Sequence, residues 1–88
     1  MATWKALIEE VMMNNGESWS DVEVSTLTQQ ELNREFPAES FGSPDGVPFT
    51  VWTRASVYFP LCHGGYEWVG RVARHPDGKP TPHLGLGF

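Results

Sequence analysis

Gly64 and Gly65 stand side by side between two runs in which apolar residues alternate with others. Val57, Phe59 and Leu61 lead up to the pair, and Trp68 and Val72 resume the alternation after it. A period of two is the mark of a strand with unlike faces. A two-residue loop of glycines suits a type I′ or II′ turn, because glycine reaches positive φ without a Cβ clash. The spacing therefore predicts a hairpin in which His63 opposes Tyr66, Leu61 opposes Trp68, Phe59 opposes Gly70 and Val57 opposes Val72. In that register Gly70 leaves room for the Phe59 ring. The other face pairs Cys62 with Glu67 and Tyr58 with Arg71, a polar set suited to solvent or a partner. Pro60 has no N–H for a ladder, but it opposes Val69 in a non-hydrogen-bonded pair, so the strand is an edge or interrupted there.

The remaining chain reads as cover for this sheet. Thr3 is placed to N-cap a helix through about Asn14, with Trp4, Leu7, Ile8, Val11 and Met12 on one stripe of a 3.6-residue period. Gly16 supplies a left-handed residue after its end. A helix this short needs the sheet for stability. Ser18 to Asp21 reads as a turn, and Val22 and Val24 as a short strand. Thr28 and Glu31 form a capping-box pattern for one helical turn. Leu32, Arg34 and Phe36 then alternate with Asn33 and Glu35, which predicts an extended segment over 32–36. Residues 37–48 are loop-like, with a turn signature at Ser43-Pro44-Asp45-Gly46. A strand is expected over Phe49–Thr53. Residues 1–76 thus form one α+β domain, a helix on an antiparallel sheet of about four or five strands. Residues 77–88 form a Pro/Gly-rich tail whose Leu84, Leu86 and Phe88 are apolar enough to strap the domain or dock on a second copy as a homodimer.

A chain of 88 residues buries only roughly 60% of its unfolded surface, so its core must be dense. Four Trp, five Phe and two Tyr supply that density. One Cys cannot form an internal disulfide, and the chain shows neither a secretory signal nor a membrane-length apolar run. The expectation is a soluble protein of the cytoplasm. Residues 1–46 carry nine acids against Lys5 and Arg34, a balance of −7; residues 47–88 carry Glu67 and Asp77 against Arg54, Arg71, Arg74 and Lys79, a balance of +2. Such a chain is a poor general nucleic-acid binder. The acidic half reads as a solvated face, or as a surface offered to a basic groove.

Motif chemistry adds little. Cys62, His63, His75 and His83 lack metal-ligand spacing, and no nucleophile-elbow, Walker or dinucleotide glycine pattern occurs. No metal, no cofactor and no catalysis are expected. The partner-binding set is Glu31, Glu35, Glu39, Phe41 and Asp45. An alternative ligand set is Trp52, Arg54, Tyr58, Tyr66, Arg71, Arg74 and His75, since arginine forks and aromatic faces suit a nucleotide. For these, the competing reading is that Trp52 and Trp68 are core and Arg71 covers Tyr58.

The segments PFTVWTRASVYFP and GGYEWVGRVARHP, after the TWKALIEEV helix, resemble a group of small proteins encoded by tailed bacteriophages and prophages, with the forms PFTxWTxxxVYFP and GxEWVGxxxRxP. The match spans most of the chain. It departs at Tyr66, which precedes Glu67, at His63-Gly64-Gly65, where the group has an aspartate–glycine turn, and in the tail after Pro76. The resemblance implies a phage accessory protein acting in the bacterial cytoplasm. The function expected is non-catalytic inhibition of a host protein, a defence component, by occupying its surface. Nucleotide sequestration and a structural, homo-oligomeric phage role stand as alternatives.

Overall fold

The structure is a computed structural model, and it describes residues 1–39 and 43–83. Helix α1 (Trp4–Asn14) begins where the Thr3 side chain accepts from the Ala6 N–H. It ends in a Schellman motif: Glu17 N–H donates to the Met12 carbonyl at 2.8 Å and Gly16 N–H to the Met13 carbonyl at 3.2 Å, with Gly16 at φ 70°. The expected stripe faces inward, with Trp4, Ile8 and Met12 buried and Leu7 and Val11 packed against the core. A 3-10 turn (Trp19–Asp21) leads into β1 (Val22–Ser25). Helix α2 (Gln29–Asn33) carries the capping box between Thr28 and Glu31. The predicted extended run over 32–36 is corrected here. Leu32 and Asn33 complete the helix, and the backbone of Phe36 then bridges to Ala2.

Strands β2 (Val51–Thr53), β3 (Ser56–His63) and β4 (Tyr66–Ala73) complete a four-stranded antiparallel meander in the order β1-β2-β3-β4. The hairpin register is the expected one at every pair from Val57↔Val72 to His63↔Tyr66. Gly64 and Gly65 both take positive φ, 59° and 86°, as a type I′ turn requires. A Cβ on Gly70 would lie 2.6 Å from Phe59 Cε2, so the ring does lie on the glycine. β2 starts at Val51 rather than Phe49, and Pro60 explains why. Val51 opposes Tyr58, so Phe49 would next oppose Pro60, which has no N–H to return.

The faces of the hairpin are the reverse of those expected. Tyr58, Val69 and Glu67 point into the core and are at most 5% exposed. Val57, Phe59, Leu61, Trp68 and Val72 are only half-buried. The core joins Trp4, Ile8, Met12, Leu27, Leu32, Phe36, Phe49, Val51, Tyr58 and Val69 on the helix side. The Trp4 ring meets Phe36 and Phe49 at centroid distances of 4.9 and 4.8 Å. The reason for the reversal lies in the polar members of the buried face, each of which finds a partner far along the chain.

Candidate functional site: the cleft between the helix and the edge strand

The inward polar groups come first, because they decide what is free to act. The Tyr58 hydroxyl donates to Glu17 Oε1 at 2.5 Å, and Arg71 Nε donates to Ser56 Oγ at 2.8 Å. Thr53 and Ser56 are fully buried beside them. Burial alone would raise the Glu17 pKa; hydrogen bonds from Ser56, Thr53 and Tyr58, with the Arg71 charge, outweigh it and hold the carboxyl below its ordinary value. Burial, then the bond to Glu17, pushes the Tyr58 phenol well above its ordinary value. A phenol that keeps its proton and a carboxylate that stays ionised exchange nothing near neutral pH. This cluster fastens the end of α1 to the sheet.

Glu67 is similarly engaged. Its two carboxylate oxygens accept from the Asp45 and Gly46 N–H groups, each at 2.9 Å. Trp4 Nε1 donates to the Val47 carbonyl at 3.0 Å, and a Cβ on Gly46 would sit 2.5 Å from Trp4 Cζ2. The 45–47 loop is thus pinned from both sides.

The sequence-predicted residues separate on this frame. In the partner-binding set, Glu31 caps α2 and Asp45 is tied through its backbone to Glu67 and Arg34, while Glu35 and Glu39 are exposed. Phe41 lies outside the described residues, as do Leu84, Leu86 and Phe88. In the ligand set, Tyr58 is buried and its ring has no open face, a correction that follows from the reversed hairpin. Arg54, Arg71, Arg74 and His75 gather near the β2–β3 turn, where the Ala55 carbonyl accepts from Arg71 Nη2 and the Arg74 N–H. Arg74 also donates to Glu23 and to the Thr53 carbonyl. Trp52 stands on the opposite face from Arg71, by register with Val57. Tyr66 is five residues along β4 from Arg71, roughly 16 Å at ~3.3 Å per residue. No single surface presents the whole set.

What the fold does assemble is a cleft of 530 Å³ between α1 and the start of β4. Leu7 and Val11 from the helix, Ala38, and Trp68 from the strand give it apolar walls; Glu10, Glu39 and Tyr66, the last 49% exposed, also line it. Its volume falls within the range of ligand-binding clefts, about 300–1,000 Å³. The strand edge there is partly used, since Glu67 N–H donates to the Ala38 carbonyl at 2.9 Å and Glu39 bridges Tyr66. Two acids beside apolar walls suit an apolar segment that carries a basic side chain. Glu10 was not named as a site residue from the sequence, and Trp68 was weighed there against a place in the core. Glu10 sits off the helix's apolar stripe, and only the packing of α1 on β4 places it on the same cleft as Glu39.

Among the described residues, no group of three or more His, Cys, Asp or Glu could hold a metal ion, and no helix is long and apolar enough to cross a membrane. Trp19 Nε1 is the one buried side-chain polar atom among them without a hydrogen-bond partner. Set against known protein families, curated proteins and solved structures, the chain matches none.

Proposed function

We propose that the chain is a non-catalytic, phage-encoded binding protein that inhibits a host defence component by occupying its surface, and that the α1–β4 cleft is the contact. The observation that supports this is the pairing of apolar walls, Leu7, Val11 and Trp68, with Glu10 and Glu39. The chain's net charge of −5 would steer it toward a basic partner. The phage origin rests on the resemblance of residues 49–60 and 66–76 described above. Nucleotide capture is the weaker reading, because Arg71 and Arg74 already donate to protein oxygens.

The test is expression in bacterial strains that each carry one antiviral defence system, followed by phage challenge. The expected result is restored plaquing with the wild-type chain in at least one strain. The paired variant Glu10→Lys/Glu39→Lys should abolish that rescue while folding normally. Rescue that survives this charge reversal would rule out the cleft as the contact.

A further inference from the structure

An indole N–H that leaves water usually finds an acceptor. Trp19 Nε1 is buried, yet among the described residues no acceptor reaches it. The turn that carries the ring is fastened at both ends: the Ser18 N–H donates to Asp21 Oδ2 at 2.8 Å, and the Asp21 N–H donates to the Ser18 carbonyl at 2.9 Å. The ring packs on the core and lines a second cleft, of 470 Å³, between α1, β1 and α2. Leu27 and Leu32, 8% and 7% exposed, form its apolar floor. Lys5, Ser25 and Gln29 bring polar groups to it. No lining residue is shared with the α1–β4 cleft. Lys5 lies five positions before Glu10, roughly 140° around the helix at ~100° per residue, and so on another flank.

We infer that this second cleft binds a small monocarboxylate with an apolar body, for which Trp19 and Lys5 supply the donors and the two leucines the floor. Charge is the first ground. Residues 1–46 carry nine acids against two bases, yet no acid lines this cleft. Of the two bases, Arg34 donates to the Asp45 carbonyl. The Lys5 ammonium has no hydrogen-bond or ion-pair partner among the described residues. One lysine and no arginine balance one carboxylate and fall short of a phosphate, whose charge is about −1.5 to −2. The donor set is the second ground. Ser25 Oγ accepts from the Leu27 N–H at 3.1 Å, which leaves its O–H to donate, and Gln29 adds an amide. A ligand with acceptor oxygens would satisfy the indole N–H that the protein leaves unpaired. Size is the third: the volume lies in the lower half of the range for small-molecule sites, about 300–1,000 Å³.

The four Trp residues give four indole N–H signals in a nitrogen-15 NMR spectrum of the full chain, and Trp19→Phe identifies the one from Trp19. The probes are phenylacetate, indoleacetate and isocaproate, each set against its uncharged amide. The expected result is a saturable shift of the Trp19 signal by at least one carboxylate, with a Kd of about 1 mM or below and its amide about tenfold weaker. Lys5→Gln should weaken the carboxylate about tenfold and leave the amide unchanged. Lys79→Gln, which removes the same charge outside the cleft, should change neither. Lys5 is exposed on the helix, so its variant should fold, and the same spectrum verifies it. A Trp19 signal that none of the three carboxylates moves at about 10 mM would overturn the inference, by leaving solvent as the partner of the N–H. Equal binding of acid and amide would also overturn it, as would a carboxylate affinity that Lys5→Gln leaves intact or that Lys79→Gln lowers as much.

Discussion

The Tyr58 hydroxyl donates to Glu17 across 41 positions of sequence and joins the end of the first helix to the middle of the sheet. A neutral donor and an ionised acceptor form a charge-assisted bond, and both groups titrate away from it at opposite extremes of pH.

Tyr58→Phe should therefore cost about 1.5–3 kcal/mol at neutral pH, read from urea unfolding. The pH dependence has two limbs. Glu17 has a folded pKa below its unfolded value near 4.5, so its contribution is present above that pH and is lost as pH falls through the folded value. Tyr58 has a folded pKa raised above its unfolded value near 10, so its contribution is present below pH 10 and is lost as pH rises beyond it. Tyr58→Phe should flatten the alkaline limb, and Glu17→Gln the acid limb. Unchanged limbs in both variants would show that the bond is not formed in solution.

Gly46 is needed for contact rather than for its backbone angles. Gly46→Ala would place a methyl 2.5 Å from the buried Trp4 ring, and overpacking of this kind costs about 1–3 kcal/mol. Thermal unfolding measures the loss, and Trp4 fluorescence should shift with it.

Phe59 and Gly70 should be coupled. Gly70→Ala meets Phe59 Cε2 at 2.6 Å and should destabilise the hairpin, whereas the same change beside Phe59→Leu should be tolerated better. A double-mutant cycle should give a coupling of about 0.5–3 kcal/mol. Additive losses would mean that the ring does not rest on the glycine.

Glu67→Ala should free the loop that its carboxylate holds. The Asp45 and Gly46 N–H groups lose both acceptors, and amide exchange at these two positions should rise well before exchange in β3. The global cost should be about 1–3 kcal/mol.

Arg74→Ala should cost less. Its ion pair with Glu23 is half-exposed, with the side chains 34% and 50% accessible, and pairs of this kind contribute about 0–1 kcal/mol. The difference from wild type should shrink in high salt.

These residues also mark what could be seen in the sequence. The paired glycines and the alternation around them determine the register of eight pairs, because turn length sets pairing. The first helix is equally plain, since its cap, stripe and Gly16 agree. Periodicity gives the spacing of a face and not its direction. Tyr58, Val69 and Glu67 on one side and Phe59, Leu61 and Trp68 on the other both fit a half-buried strand. Glu67 and Tyr58 read as solvent-facing because their partners, Asp45, Gly46 and Glu17, are 21 to 41 positions distant. The cleft was hidden for the same reason. Glu10 and Glu39 come to line one cleft only after α1 settles on β4, and nothing in either one's neighbours announces the other.

Pro60 has a consequence beyond the length of β2. An incoming peptide that tried to zip onto the third strand beyond Val51 would meet a ring where a ladder rung should be. Growth by strand addition, one route to fibres, is closed at that point of the third strand, and a single residue without an N–H does the work of a capping strand.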